Sequence, residues 1–90
     1  MLEHCAQTAL LLTAALETAS PLLRSDVGCA AALCRAAAEA AAMNVFVNTG
    51  LLAPDERAAT EARAGHLRAT VVQSCAQTAD AVFAALRGEG

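Results

Sequence analysis

Apolar positions along the 90 residues recur with helical spacing, and three long segments hold almost all of them. The first runs from about Leu2 to Ala19. Cys5, Ala9, Leu12, Leu16 and Ala19 form one stripe, broadened by Leu10 and Leu11, while Glu3, Gln7 and Glu17 mark wetter sides. Pro21 predicts the end of this helix, because a proline drives the residue before it, here Ser20, out of the α region. The second segment spans Ser25 to about Asn48. Ser25 is its expected N-cap, Asp26 stands in the first turn where the helix dipole favours an anion, and Gly50 is the expected C-terminal breaker. Only Asp26, Arg35 and Glu39 are charged, so this helix is expected to be central and buried on most sides. Gly28 is a poor helix former, which predicts close backbone contact there. The third segment starts at Pro54, followed by Asp55 and Glu56, and continues to about Leu86. Its expected buried stripe is Ala62, Gly65, Ala69, Val72, Cys75 with Ala76, Ala79, Val82 with Phe83, and Leu86, with Gly88 to Gly90 fraying. The pattern predicts an all-α fold, a three-helix bundle segment that assembles into a larger helical dimer, with residues 1–90 as one partial domain.

Composition sharpens that expectation. Alanine exceeds a quarter of the chain, so the 57% apolar content overstates what can be buried. A large aliphatic side chain brings about 1.5–3 kcal/mol on full burial, and alanine far less. Tryptophan and tyrosine are absent, and Phe46 and Phe83 are the only aromatics. Small domains bury a low fraction of their surface, so a lone monomer would be marginal and self-association is expected. The net charge is −3, and all six basic residues are dispersed arginines. No basic stripe tracks a phosphate backbone, which argues against nucleic acid. No basic leader precedes the first helix, and no apolar run is expected to span a membrane, so a reducing cytoplasm is the default.

Candidate chemistry is sparse. Cys5, Cys29, Cys34 and Cys75 lack zinc spacing and read as small core residues, with Cys29 and Cys34 on different faces of their helix; no metal is expected. His4 and His66 read as solvated helical histidines. The segment Cys-Ala-Gln-Thr-Ala occurs at Cys5 to Ala9 and again at Cys75 to Ala79, which in so alanine-rich a chain reads as similar packing, not duplication. Asp26, Asn44 and Asn48 fall near one line of the second helix, since residues 18 apart share an azimuth. Asparagine competes for backbone hydrogen bonds and is out of place in a strong helix, so the pair calls for a reason. Asp26 and Asn44 are about 27 Å apart along the axis. One small ligand on one chain cannot touch both, whereas in an antiparallel dimer Asp26 of one subunit approaches Asn44 and Asn48 of the other. The structural alternative is that Asp26 caps the helix and Asn48 helps to end it.

The run Ser25-Asp26-Val27-Gly28, an alanine-rich helix, then Asn44-Val45-Phe46-Val47-Asn48 and Asp55 resembles the C-terminal half of the cyclodeaminase/cyclohydrolase family. That family includes formiminotetrahydrofolate cyclodeaminase and methenyltetrahydrofolate cyclohydrolase. Val47 replaces the usual isoleucine, Ala40 stands where a glycine is frequent, and Leu10 lies near a family proline. The resemblance covers most of the chain and is most specific from Ser25 to Asp55. The family's N-terminal half, with a P-G-G-G-S segment, and the Gly-Asn loop before Ser-Asp have no counterpart in the chain, so a half-domain is expected.

The resemblance implies an all-helical dimer acting on one-carbon tetrahydrofolates, with no further cofactor. The implied reaction is C–N hydrolysis of a methenyl group, or cyclisation of a formimino group with release of ammonia. Asp26 would be the catalytic carboxylate, Asn44 and Asn48 would orient substrate amides, and Arg35 or Arg24 would meet the glutamate tail. The implied partners are a folate and either a second copy or the missing N-terminal half. The alternative is a non-catalytic helical oligomerisation module that has lost the site.

Overall fold

A computed structural model describes residues 1–88 of the chain, apart from the side chain of Leu22. Three helices, α1 (Leu2–Thr18), α2 (Pro21–Asn48) and α3 (Pro54–Leu86), form an antiparallel up-down-up bundle in which every pair packs together, most extensively α2 with α3. A single 3-10 turn, Thr49–Leu51, leads from α2 towards α3. No strand occurs among the described residues. The expected all-α three-helix bundle is therefore the observed architecture.

The two prolines set the boundaries. Ala19 and Ser20 are extended, with ψ of 137° and 160°, and Pro21 takes the first position of α2. A proline there has its φ preset and lacks only an amide that would be unpaired anyway. The second helix thus begins four residues before the expected Ser25. Ser25 is not its cap and Asp26 is not in its first turn, which holds no acidic residue. Pro54 repeats the arrangement after an extended Ala53, with Asp55 and Glu56 in the first turn as expected. Gly50 does not break α2 by a left-handed conformation, because the only positive-φ residue among those described is Gly88, at 77°. The helix instead tightens into the 3-10 turn. The expected fraying of 88–90 concerns Glu89 and Gly90, which lie outside the described residues; Gly88 closes α3, its amide donating to the carbonyl of Ala85 at 3.1 Å.

The core is built from small side chains. Among the described residues, six of the twelve buried apolar ones are alanine and three are cysteine, joined by Leu2, Val71 and Val82. Ala31, Ala38 and Val71 have no exposed surface. The α1 stripe is as expected at Cys5 and Ala9, which are buried, and at Leu12, Leu16 and Ala19, which are half-buried, with Leu2 added; Leu10 and Leu11, expected to broaden it, are exposed. The α3 stripe is as expected only in part: Cys75 and Val82 are buried and Gly65, Val72, Ala76 and Ala79 half-buried. Ala64, Val71 and Thr78 are buried besides, whereas Ala62, Ala69, Phe83 and Leu86 face outward. α2 is also less enclosed than expected: it buries Ala31, Cys34, Ala38, Ala41 and Ala42 on one side, while Leu33 is 72% and Val47 80% exposed. The stretch Leu23–Leu51 is long and apolar enough by composition to cross a membrane, contrary to the expectation for the chain. Alanine supplies that apolarity, and Arg35 and Glu39 interrupt it at mid-length.

The shape is elongated, 51 × 18 × 15 Å, with a radius of gyration of 15.4 Å. A compact domain of this length has a radius of about 12 Å. The accessible surface of 5916 Å² also exceeds the roughly 4,900 Å² usual for a folded monomer of this mass.

Close approach of α2 to α3 is enforced at Gly28. A Cβ placed there would lie 2.8 Å from Val82 Cγ1, 3.1 Å from its Cβ and 3.3 Å from its Cγ2. Both methyls of Val82 and its Cβ crowd the position, and a rotamer change leaves the Cβ at 3.1 Å, so it cannot relieve the contact. Alanine gains about 1 kcal/mol of helix propensity over glycine, against roughly 1–3 kcal/mol for overpacking. Gly28→Ala is therefore expected to lower stability by about 1 kcal/mol, and Gly28→Ala with Val82→Ala to show a favourable coupling of at least about 1 kcal/mol. Urea unfolding of the three variants measures both; additivity would refute the contact.

Candidate functional site

The bundle opens at the end where α1 begins, α2 ends and α3 begins. A groove of about 590 Å³ lies there. Its floor is apolar: Leu2 from α1, Ala41 and Val45 from α2, and Ala64 and Leu67 from α3, with Leu52 from the connecting loop. Its polar groups are Glu3, Asn44, Asn48, Thr49, Thr60 and Arg63. Helical spacing explains the arrangement. Asn44 and Asn48 are one turn apart on α2, and Thr60, Arg63, Ala64 and Leu67 occupy one side of α3.

The polar groups differ in what they leave available. Asn48 Nδ2 donates to the carbonyl oxygen of Asn44 at 2.7 Å, so part of its amide secures the last turn of α2. The Asn44 side chain has no hydrogen-bond partner among the described residues and is exposed. Arg63 Nη2 donates to Glu3 Oε1, tying α3 to α1 across the groove. That hydrogen bond and the guanidinium charge hold the Glu3 carboxyl below its ordinary range. Beneath the rim, Thr49 is 2% exposed and its Oγ1 donates to Glu61 Oε1 at 2.7 Å. Arg57 Nε reaches the same oxygen at 3.0 Å. The Thr49 bond, then Arg57, lowers the Glu61 pKa. A depressed carboxylate stabilises the fold above its unfolded pKa, so this clasp on the α2–α3 connection is present at neutral pH and loosens only below about pH 4.5.

Two of the four residues expected at a site are elsewhere. Asp26 is exposed in the second turn of α2, about 27 Å from Asn44 along the helix. It has no ion pair or hydrogen bond among the described residues. Arg35 lies about 14 Å from Asn44, paired with Glu39 at 4.0 Å; Glu39 also accepts from Arg68 Nη2 of α3 at 2.9 Å. The groove therefore gathers Asn44 and Asn48 and leaves Asp26 and Arg35 outside. Sequence reasoning missed Arg63 and Thr60. The one available signal was their spacing with Leu67, hidden because charged residues on a helix usually mark a solvated side.

The cysteines are grouped but not as a metal site. Cys5, Cys34 and Cys75, one from each helix, are buried together, and Cys34 Sγ donates to the Cys5 carbonyl at 3.4 Å. Cys29 is exposed on the outer side of α2. The two Cys-Ala-Gln-Thr-Ala segments thus present their cysteines to one core layer. Among the described residues no three His, Cys, Asp or Glu side chains are arranged to hold a metal. Burial, reinforced by the Cys75 thiol, pushes the Cys34 thiol up to about 11, and burial likewise raises Cys5.

With this geometry in hand, comparison with family models identifies the relationship: the formiminotransferase-cyclodeaminase model matches residues 1–67. The chain belongs to the formiminotransferase-cyclodeaminase family. The matched segment contains every residue that lines the groove and ends within α3, at Leu67. Comparisons with curated proteins and with solved structures give no match. Membership points to folate one-carbon metabolism, in agreement with the resemblance carried by Ser25 to Asp55.

The thiols provide a check on the packing. Cys5, Cys34 and Cys75 are expected to react with iodoacetamide only as the bundle unfolds, because thiolate is the nucleophile and burial disfavours it. Rates measured against urea should follow global unfolding; modification of Cys34 in the native chain at the rate of a free thiol would contradict its burial.

Proposed function

We propose that the groove binds a one-carbon tetrahydrofolate and that the chain is part of a cyclodeaminase/cyclohydrolase site. The observation that carries this reading is the coincidence of the Asn44-to-Asn48 motif, Arg63 and an apolar floor in one groove lined wholly by family-matched residues. Its volume falls within the roughly 300–1,000 Å³ of ligand sites. A flat pterin suits the floor of Leu2, Ala41, Val45, Ala64 and Leu67. The Asn44 amide offers a donor and an acceptor to ring amides, and Arg63, which gives Nη2 to Glu3, keeps its remaining guanidinium donors for a carboxylate. Arg63 takes the place first expected of Arg35.

The chemistry asks for little more than positioned polar groups in a dry pocket. In hydrolysis, water adds to the methenyl carbon, a proton passes from oxygen to nitrogen, and one C–N bond breaks to leave a formyl group. In cyclisation, N10 attacks the formimino carbon and ammonia departs. Either route gains from a carboxylate beside the developing charge. Glu3 is engaged by Arg63, so Asp26 remains the candidate for that role, reaching the groove only from another chain. The groove of one copy is thus a binding site without its acid/base group. That distance favours a second reading, in which the chain binds or assembles without catalysing. A cytoplasmic setting suits four free cysteines, since thiols persist in reducing compartments.

Titration calorimetry with 5-formyltetrahydrofolate tests the binding. Arg63→Gln is expected to weaken binding about 10- to 100-fold, from loss of a charged hydrogen bond worth about 1.5–3 kcal/mol, and Asn44→Ala about 5-fold. Far-UV circular dichroism should show unchanged helicity, because the Arg63 ion pair is exposed and alanine is the better helix former. No binding by the wild-type chain, or equal binding by both variants, would refute the assignment.

A further inference from the structure

Two charged side chains line the groove among the described residues, Glu3 of α1 and Arg63 of α3, and they are paired with each other. The ion pairs of Glu39 and of Glu61 lie outside it. The side chains of the wall are therefore neutral overall, and its guanidinium meets a ligand with a carboxylate of the protein already attached. Both partners are largely exposed, the Arg63 side chain at 67% and that of Glu3 at 58%. Such a pair adds little to stability, so its place on the groove calls for another reason.

The stereochemistry of the guanidinium supplies one. It grips a carboxylate with two parallel hydrogen bonds along an edge, formed either by Nη1 with Nη2 or by Nε with Nη2. Nη2 belongs to both edges and carries one hydrogen for each. Glu3 Oε1 accepts from Nη2 of Arg63. Whichever hydrogen it takes, one edge is spent and the other stays free. The Arg63 hydrogen bond and charge, with lesser help from the Met1 amino group and His4, keep Glu3 ionised at neutral pH. A ligand that expels water from the groove removes the screening of that negative charge.

A first carboxylate is thus received on the free edge. A second finds no edge and is repelled by Glu3. The remaining polar side chains of the wall are amides and hydroxyls, with no further cation among them. We infer that Glu3 is a specificity-determining residue of the groove: by spending one edge of Arg63 it admits a flat ligand with a single carboxylate and disfavours one that brings two. For a folate, whose glutamate tail carries two, one is held and the other stays in water. The flat body rests on the folate reading above; the rule of charge rests on the Glu3–Arg63 pair alone.

Two fragments of a folate tail test the rule: 4-aminohippurate, with one carboxylate, and 4-aminobenzoylglutamate, with two. Their binding is followed at neutral pH through the Arg63 Nε–H resonance of the nitrogen-labelled chain. The wild-type chain should bind the monocarboxylate at least as tightly as the dicarboxylate. Glu3→Gln should raise affinity for 4-aminobenzoylglutamate about 5-fold and for 4-aminohippurate no more than about 2-fold. Glu3→Ala, which removes the acceptor altogether, should gain at least as much, and helicity should hold in both because the pair is exposed. Arg63→Gln should release both fragments, whatever stands at position 3. The proposal is overturned by an unchanged ratio of the two affinities in Glu3→Gln, by weaker binding of the dicarboxylate once Glu3 is lost, or by binding that survives Arg63→Gln. It is equally overturned if neither fragment at about 20 mM moves the Arg63 resonance in Glu3→Ala, where both edges are free. 5-Formyltetrahydrofolate, titrated alongside, separates the two readings. If it fails to bind while the fragments show the expected ratio, the folate reading falls and the charge rule stands; if it binds and the ratio is unchanged, the reverse holds.

Discussion

The contact between Gly28 and Val82 governs the rest of the molecule. With the Cβ and both methyls of Val82 within 3.3 Å of where a side chain would start, α2 and α3 approach closely at Gly28. Only small residues fit along such an approach, and the fully enclosed positions of α2 are accordingly Ala31 and Ala38. Close packing recovers dispersion energy along the whole contact. It buries little apolar area, however, because alanine has little to bury. The large apolar side chains are consequently outside the bundle, with Leu10, Leu11, Leu33, Met43 and Leu86 each more than 60% exposed.

The same geometry produces the groove. Helices held together by glycine and alanine along their middles leave room at an end where longer side chains appear, and here Leu2, Leu67 and Arg63 line a hollow instead of filling it. The Arg63–Glu3 pair and the Thr49–Glu61–Arg57 clasp hold its walls in register. Their carboxylates are exposed to solvent, so these links orient the walls more than they stabilise the fold. The groove is thus positioned by the bundle and stiffened by ion pairs, an arrangement suited to admitting a ligand.

Much of the fold could be read from the sequence, for physical reasons. Pro21 and Pro54 fix where helices stop and start, and the α1 stripe of Cys5, Ala9, Leu12 and Leu16 follows from its helical spacing, although Leu10 and Leu11 beside it face outward. The start of α2 was misjudged because Ser25-Asp26 has the chemistry of a cap, while the preset φ of Pro21 had already opened the helix. The α3 stripe was misjudged because alanine occurs on every side of that helix, and because a polar residue, Thr78, lies in the core. Of the site, Asn44 and Asn48 were legible from their incongruity in a helix. Arg63 was not, since its role depends on where α1 lies, which no local pattern encodes.

Self-association is expected from so small-residue a core, and the exposed Leu33, Met43 and Val47 of α2 are apolar surface that association could cover. The thermal unfolding midpoint, followed by circular dichroism from about 1 to 100 μM chain, tests that expectation most directly. If association is coupled to folding, the midpoint rises steadily with concentration. A midpoint that does not move across that range would show that the small-residue core suffices alone, and would contradict the account.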